Sequence, residues 1–119
     1  ILQEWKAPKT QRDWGYYRVL HEHGTQVKVK ELTVNPGQRL SMQRHQDRAE
    51  HWFVAQGTAT VYGINRKSDA EPLGEFGTHQ HIHIDRHQWH QLCNETDQPL
   101  RVVEIQYGYR CEEHDIERQ

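Results

Sequence analysis

The chain has 119 residues, enough for one domain with its own core. Its 15 Lys and Arg against 17 Asp and Glu leave a net charge of −2, which excludes a basic, non-specific nucleic-acid binder. A mean hydropathy of −1.09, with no apolar run near the ~18 residues of a membrane span, excludes a membrane-crossing helix.

Residues 1–15 have no periodicity and read as an N-terminal arm carrying Trp5 and Trp14. From Tyr16 the pattern becomes short strand-like stretches separated by turn residues. Tyr16–His21 ends near Gly24, and Gln26–Val34 ends at the turn Asn35-Pro36-Gly37. Gln38–Gln43 is short and runs into polar Arg44–Arg48. Glu50–Gln56 ends at Gly57, and Thr58–Asn65 is rich in β-branched and aromatic residues. Arg66–Glu71 reads as a polar turn. Glu75–Ile84 alternates His and Ile, Trp89–Asn94 is short, and Leu100–Tyr107 alternates cleanly up to Gly108. The charged tail Arg110–Gln119 is the one place where a short helical turn is expected. Short strands at this spacing, with no useful 3.6-residue repeat before the tail, predict an all-β sandwich or small barrel with an internal pocket.

Cys93 and Cys111 cannot build a disulfide framework, and no signal-peptide stretch opens the chain. A reducing, cytoplasmic compartment is the expectation. Apolar residues make up 34% of the chain, so the core is expected to be thin or shared with a partner. With the arm's tryptophans and an open strand edge, this predicts a homodimer or larger.

The 10 His stand out, because imidazole is the commonest metal ligand. Gln43 and His45 lie at i, i+2 and so share a face of an extended strand. A polar stretch then returns the chain to Glu50. Two adjacent strands thus aim an amide oxygen, an imidazole and a carboxylate at one point. His90, alone in Trp89-His90-Gln91-Leu92, is a natural fourth ligand from a facing strand. This N/O set suits zinc first, with manganese, cobalt, nickel and iron also compatible.

Gly37, Gln43, His45, Glu50 and Gly57, followed by His90 and Asn94, have spacings that resemble the two motifs of the cupin superfamily. The runs Leu40-Ser41-Met42-Gln43, Arg48-Ala49-Glu50-His51-Trp52 and Gly57-Thr58-Ala59 look like one branch, the type II mannose-6-phosphate isomerase domain. Further matches include Trp14-Gly15, Lys30, Pro36-Gly37, Glu104, Gln106, Glu113, Asp115-Ile116 and Arg118. The resemblance implies a single cupin-type (double-stranded β-helix, or jelly-roll) barrel over residues 16–119. In that family the cupin usually follows a GDP-mannose pyrophosphorylase domain. The phosphate-binding loop of such a domain is not in this sequence, so the chain by itself is not expected to make GDP-mannose. The second motif departs from the pattern: Asp85 and His87 stand where Pro and Gly are usual.

The resemblance also implies an activity. Mannose 6-phosphate and fructose 6-phosphate would be interconverted through a cis-enediol, with one divalent ion on Gln43, His45, Glu50 and His90. Glu104 and His51 are the candidate bases, and Lys30 is an electrophilic or phosphate partner. Arg48 suits a phosphate dianion or the charge of an enediolate; its competing reading is a surface pair with Asp47 or Glu50. Glu104 and Gln106 share a face with Val102, which is either a solvent face or the pocket. Lys28 and Lys30 share a face with Leu32 and Val34; Lys28 reads as snorkelling, Lys30 as functional. His79, His81 and His83 read as a wet outer face or subunit interface, with a second metal site as the competing reading. The expected partner is a sugar phosphate, with neither nucleic acid nor membrane. Two other functions fit a cupin: a non-catalytic sugar- or nucleotide-sugar-binding module, and a metal-dependent dioxygenase.

Overall fold

Period-two alternation of small, β-branched and aromatic residues drives the chain into strands, and no helix forms among the described residues. The computed structural model describes residues 7–119, so Trp5 and the start of the arm lie outside the described residues. The strands are β1 (Lys9–Arg12), β2 (Gly15–His23), β3 (Val27–Val34), β4 (Gln43–Arg44), β5 (Arg48–Gln56) and β6 (Ala59–Ile64). They continue with β7 (Ala70–Phe76), β8 (His81–Ile84), β9 (Gln91–Cys93), β10 (Leu100–Gly108) and β11 (Glu117–Arg118).

A six-stranded sheet has the order β1-β2-β3-β10-β5-β8, and a three-stranded sheet has β7-β6-β9. A small pair, β11-β4, joins the tail to the segment that carries Gln43. Every pairing is antiparallel. Leu32, Val34, Trp52, Val54, Leu100 and Val102 from the large sheet meet Ala59, Val61 and Leu92 from the small one in a single core.

Four local expectations are corrected. Part of the arm is a strand, because Lys9–Arg12 pairs with Gly15–Arg18 through a tight turn. The tail forms no helical turn and ends in β11. The turn expected over Arg66–Glu71 is shorter, since β7 begins at Ala70. Glu75–Ile84 is not one strand: the chain turns at Gly77–Gln80, with His79 at φ 71°, and passes from the small sheet to the large one. Gln80 supports that turn by accepting the Gly77 N–H at 2.6 Å on its side chain.

The inner face of the large sheet has two halves. Towards one end, Leu32, Val34, Trp52, Val54, Leu100 and Val102 are buried and apolar. Towards the other, Lys30, Arg48, Glu50, Glu104 and Gln106 are buried and polar. Antiparallel register brings the polar halves together: Glu104 is the cross-strand partner of Lys30, and Gln106 lies between Lys28 and Glu50. Half of the interior is thus given over to a site, which accounts for the low apolar content.

Gly57 ends β5 at φ +91°, and a Cβ there would lie 2.6 Å from the Pro99 carbonyl oxygen. Gly37 has φ +76° but open space around it. Gly57→Ala is expected to cost more than about 2 kcal/mol in urea denaturation, from strain plus a backbone clash, and Gly37→Ala only about 1 kcal/mol from strain alone. Equal losses would show that the close approach at Gly57 does not matter.

Candidate metal centre

β4 and the following bend place Gln43 and His45, β5 places Glu50, and the segment before β9 places His90. Gln43 and His90 are locked across the gap by two backbone hydrogen bonds, of 3.0 and 2.9 Å. His45, Glu50 and His90 are all buried, and their ligand atoms lie within 4.8 Å of one another.

Neighbours decide which atoms face inward. His45 Nδ1 lies 2.6 Å from the Asp115 carbonyl, and His90 Nδ1 lies 2.9 Å from the Gln88 carbonyl. A carbonyl can only accept, so each Nδ1 carries hydrogen and each Nε2 faces Glu50. The Nε2 atoms are 3.1 and 3.9 Å from the Glu50 oxygens. Gln43 Nε2 contacts Ser41 at 3.4 Å, which leaves the amide oxygen for a cation. Two imidazole lone pairs and a carboxylate around one small space fit a divalent ion, and Gln43, which lines the adjoining cavity, is the candidate for a further oxygen donor.

Electrostatics agree with that fit. Burial pushes the Glu50 carboxyl up, but Arg48 and, when they are protonated, His45 and His90 hold it well below the usual carboxylate range, so Glu50 is an anion for a cation to meet. Burial pushes His90 below the usual imidazole value, against the pull of Glu50, which favours the neutral form a metal needs. Trp52 Nε1 donates to Glu50 Oε1 at 2.9 Å and fixes the carboxylate plane.

A polar cavity of about 160 Å³ opens over this group, lined by Gln43, Glu50, His90, Lys30, Glu104 and Gln106, among others. Of the two readings of the Glu104 face, the structure therefore has the pocket. Burial, with Glu50 close by, raises the Glu104 carboxyl to about 8. Gln106 Nε2 donates to Glu104, and Gln106 Oε1 has no partner among the described residues.

Two expectations change. His51 does not reach the cavity: it alternates with Glu50 along β5, so it faces outward and packs against His81 with ring centroids 5.0 Å apart. Arg48 is no free loop cation. It is the first residue of β5, 5% exposed, with Nε donating to Glu50 Oε2 at 3.0 Å and Nη1 to the Glu112 carbonyl at 3.0 Å. The pair with Glu50 exists, but it is buried and tied to the metal ligands. Lys30 is 5% exposed, faces the cavity and pairs with Glu113 at 2.5 Å.

Sequence reasoning gave no role to the tail residues that close the site. Asp115 accepts the backbone N–H groups of Gln46 and Asp47 at 3.0 and 2.9 Å, and its carbonyl orients His45. The family resemblance at Glu113 and Asp115-Ile116 was the available signal. His87, in the place of the usual Gly, adopts φ 67° and donates its N–H to the His45 carbonyl at 2.7 Å. The turn is kept although a non-glycine residue makes it.

The family model for the C-terminal part of mannose-6-phosphate isomerase matches residues 3–119. The chain belongs to this mannose-6-phosphate isomerase family. It is 38% identical over 107 residues to the alginate biosynthesis protein AlgA of Pseudomonas aeruginosa, covering 90% of this chain and 21% of that protein. It is 39% identical over 107 residues to a mannose-1-phosphate guanylyltransferase of Escherichia coli, with the same coverage. Against the xanthan biosynthesis protein XanB of Xanthomonas campestris it is 39% identical over 110 residues, 92% of this chain and 22% of that one. The chain thus spans about a fifth of these relatives.

The fold is that of the cupins. The oxalate decarboxylase of Lactobacillus farciminis superposes with a TM-score of 0.77 at 17% identity, over 94% of this chain and 33% of that one. The capsular polysaccharide assembling protein CapF of Staphylococcus aureus gives 0.78 at 14%, over 95% and 32%. For this family member the architecture therefore agrees with the expected cupin barrel.

Two measurements test the centre. Elemental analysis of the metal-loaded chain should find one divalent ion, lost in His90→Ala; Asp115→Ala should weaken metal binding about 10–100-fold while the β-sheet circular dichroism signal stays. In the metal-free chain, Glu104 holds its proton when folded up to about pH 8 but loses it when unfolded at about 4.3. Its stabilising contribution is therefore complete below about pH 4.3, declines as pH rises, and is gone above the folded value. Glu104→Gln should make urea stability fall less steeply between pH 5 and 9; an unchanged slope would place the titration elsewhere.

Proposed function

We propose that this chain isomerises mannose 6-phosphate and fructose 6-phosphate. The observation that carries the reading is the acceptor cluster of His45, Glu50 and His90 beside one small polar cavity, which Glu50, His90 and the proton-holding Glu104 line. The family and relatives support it, since the family takes its description from this isomerase.

Isomerisation needs the C2 hydrogen of the aldose to leave as a proton and arrive at C1. It also needs a proton moved from the C2 oxygen to the C1 oxygen. Glu104 is the proposed shuttle between the carbons: a carboxyl whose pKa is near the working pH both takes and returns a proton. Its raised value follows from burial first and Glu50 second, so the pocket itself does the tuning. Lys30 is the cross-strand neighbour of Glu104; its charge is paired with Glu113, and its remaining ammonium N–H groups can donate to the substrate oxygens. Gln106 Oε1 offers an unsatisfied acceptor to a substrate hydroxyl. Arg48 holds Glu50 and so positions the reacting end rather than binding phosphate. A divalent ion on Gln43, His45, Glu50 and His90 would supply Lewis-acid stabilisation of negative charge on the substrate oxygens.

The cavity, at about 160 Å³, is below the ~300–1,000 Å³ of pockets for drug-sized ligands. That supports a monosaccharide over a nucleotide sugar. The likeness to oxalate decarboxylases is one of fold and lends no weight to an oxidative reaction.

A coupled assay with mannose 6-phosphate, with zinc, manganese, cobalt, nickel or iron(II) restored in turn, tests the reading. Fructose 6-phosphate is expected with at least one of them. Glu104→Gln should lower kcat by about 10²–10⁴-fold with KM little changed. No turnover with any metal would refute the activity; full turnover in Glu104→Gln would move the base elsewhere.

A further inference from the structure

We infer that the mouth of the cavity is a phosphate-monoester site made by Arg12 of β1 and Arg118 of β11, with Ser41 beside them. The substrate class rests on the isomerase reading; the anion site itself rests on charge placement.

The deep end of the cavity cannot hold a dianion. Glu50 and Glu104 are buried there, and Glu113 lines the same space. The interior cations are already engaged: Arg48 with Glu50 and the Glu112 carbonyl, Lys30 with Glu113. A phosphate placed there would face the carboxylates of Glu50 and Glu113, with no unpaired cationic side chain beside it among the described residues. Phosphate on Arg48 or Lys30, as expected from sequence, is therefore disfavoured by the arrangement of charge.

The mouth has the opposite character. Arg12, Ser41 and Arg118 line both the cavity and an outer hollow of about 540 Å³ that continues from it. Arg39 lines the hollow as well, and so does one carboxylate, Asp13. Among the described residues, Arg12, Arg39 and Arg118 make no ion pair. Arg12 is held by neutral partners: it donates to the Gln11 carbonyl at 3.0 Å and lies over the Tyr17 ring, 5.4 Å from its centroid. Its charge is thus oriented but not cancelled. Guanidinium forks match phosphate oxygens, and two of them at one opening suit a phosphate monoester dianion.

The two arginines come from opposite ends of the chain. β1 is an edge strand of the large sheet, and β11 reaches the mouth by pairing with β4 beside Gln43. Cations outside and carboxylates inside then orient a sugar phosphate, with phosphate at the mouth and the reacting carbons towards Glu104.

Phosphate binding to the metal-free 119-residue chain, followed by titration calorimetry at low ionic strength, tests the anion site without any turnover. Inorganic phosphate should bind to the wild type. Arg12→Ala and Arg118→Ala should each weaken it about tenfold, the double variant should abolish it, and Arg→Lys at either position should recover part. Both side chains are exposed, and circular dichroism checks that the variants fold. In the metal-loaded chain, the same changes should raise KM for mannose 6-phosphate about tenfold each with kcat within threefold. The preference for mannose 6-phosphate over mannose should fall in parallel. Absent phosphate binding in the wild type, undiminished binding in the double variant, or an unchanged KM overturns the site. Loss of phosphate binding in the variants, with no isomerisation by the wild type under any metal, upholds the anion site and rejects the isomerase reading instead.

Discussion

The inner face of the large sheet buries Lys30, Arg48, Glu50, Glu104 and Gln106, and only the antiparallel register of β3, β10 and β5 makes that tolerable. A lone charge in such a place would cost several kcal/mol. Here each one meets a partner brought by a neighbouring strand or by the tail. Glu50 has Arg48 and Trp52; Lys30 has Glu113; Glu104 has Gln106. A slip of one residue in any of these strands would turn the polar set to solvent and the outer side chains inward. The register that builds the apolar core over Leu32, Trp52, Val54 and Val102 therefore also builds the site, and neither half can shift without the other.

That coupling also explains why the tail belongs to the site. Residues 112–119 contain little that could form a core, yet they close over its polar end. Asp115 ties down the bend between β4 and β5, and its carbonyl sets the His45 tautomer. Glu113 neutralises Lys30, and Glu117 makes a bidentate pair with Arg44 across β11 and β4. Exposed pairs such as the last are worth little on their own. The gain lies in geometry: the tail turns a sheet face into an enclosed cavity and leaves the Arg12 and Arg118 charges at its opening.

Charge in the cavity is graded. Carboxylates dominate the buried end, where they hold cations and protons, and arginines without ion pairs among the described residues surround the opening. A small polar ligand with one anionic end enters such a gradient in one orientation. Affinity and orientation then come from the same few residues, so a pocket of about 160 Å³ can be selective without a large contact area.

The sequence by itself determined the all-β architecture and singled out His45, Glu50 and His90, which the fold then brings together. Both depend on local rules: period-two alternation sets the strands, and the i, i+2 spacing of Gln43 and His45 sets a shared face. Lys30 was legible for the same reason, since a lysine in line with Leu32 and Val34 has to face inward. Only the tertiary structure decided the rest. Whether the Glu104 face was solvent or pocket depended on which strands flank β10, and periodicity is the same in either case. His51 was misplaced because the motif around it was taken as a block, while alternation turns every second residue of that block outward. Arg48 found its partner in Glu50, two residues along the same strand, and its burial came from the tail folding over it. The strand in the arm and the break in Glu75–Ile84 arose from pairing partners far along the chain. Arg12 and Arg118, separated by nearly the whole sequence, line one opening only because the pairing of β1 with β2 and of β11 with β4 carries both there.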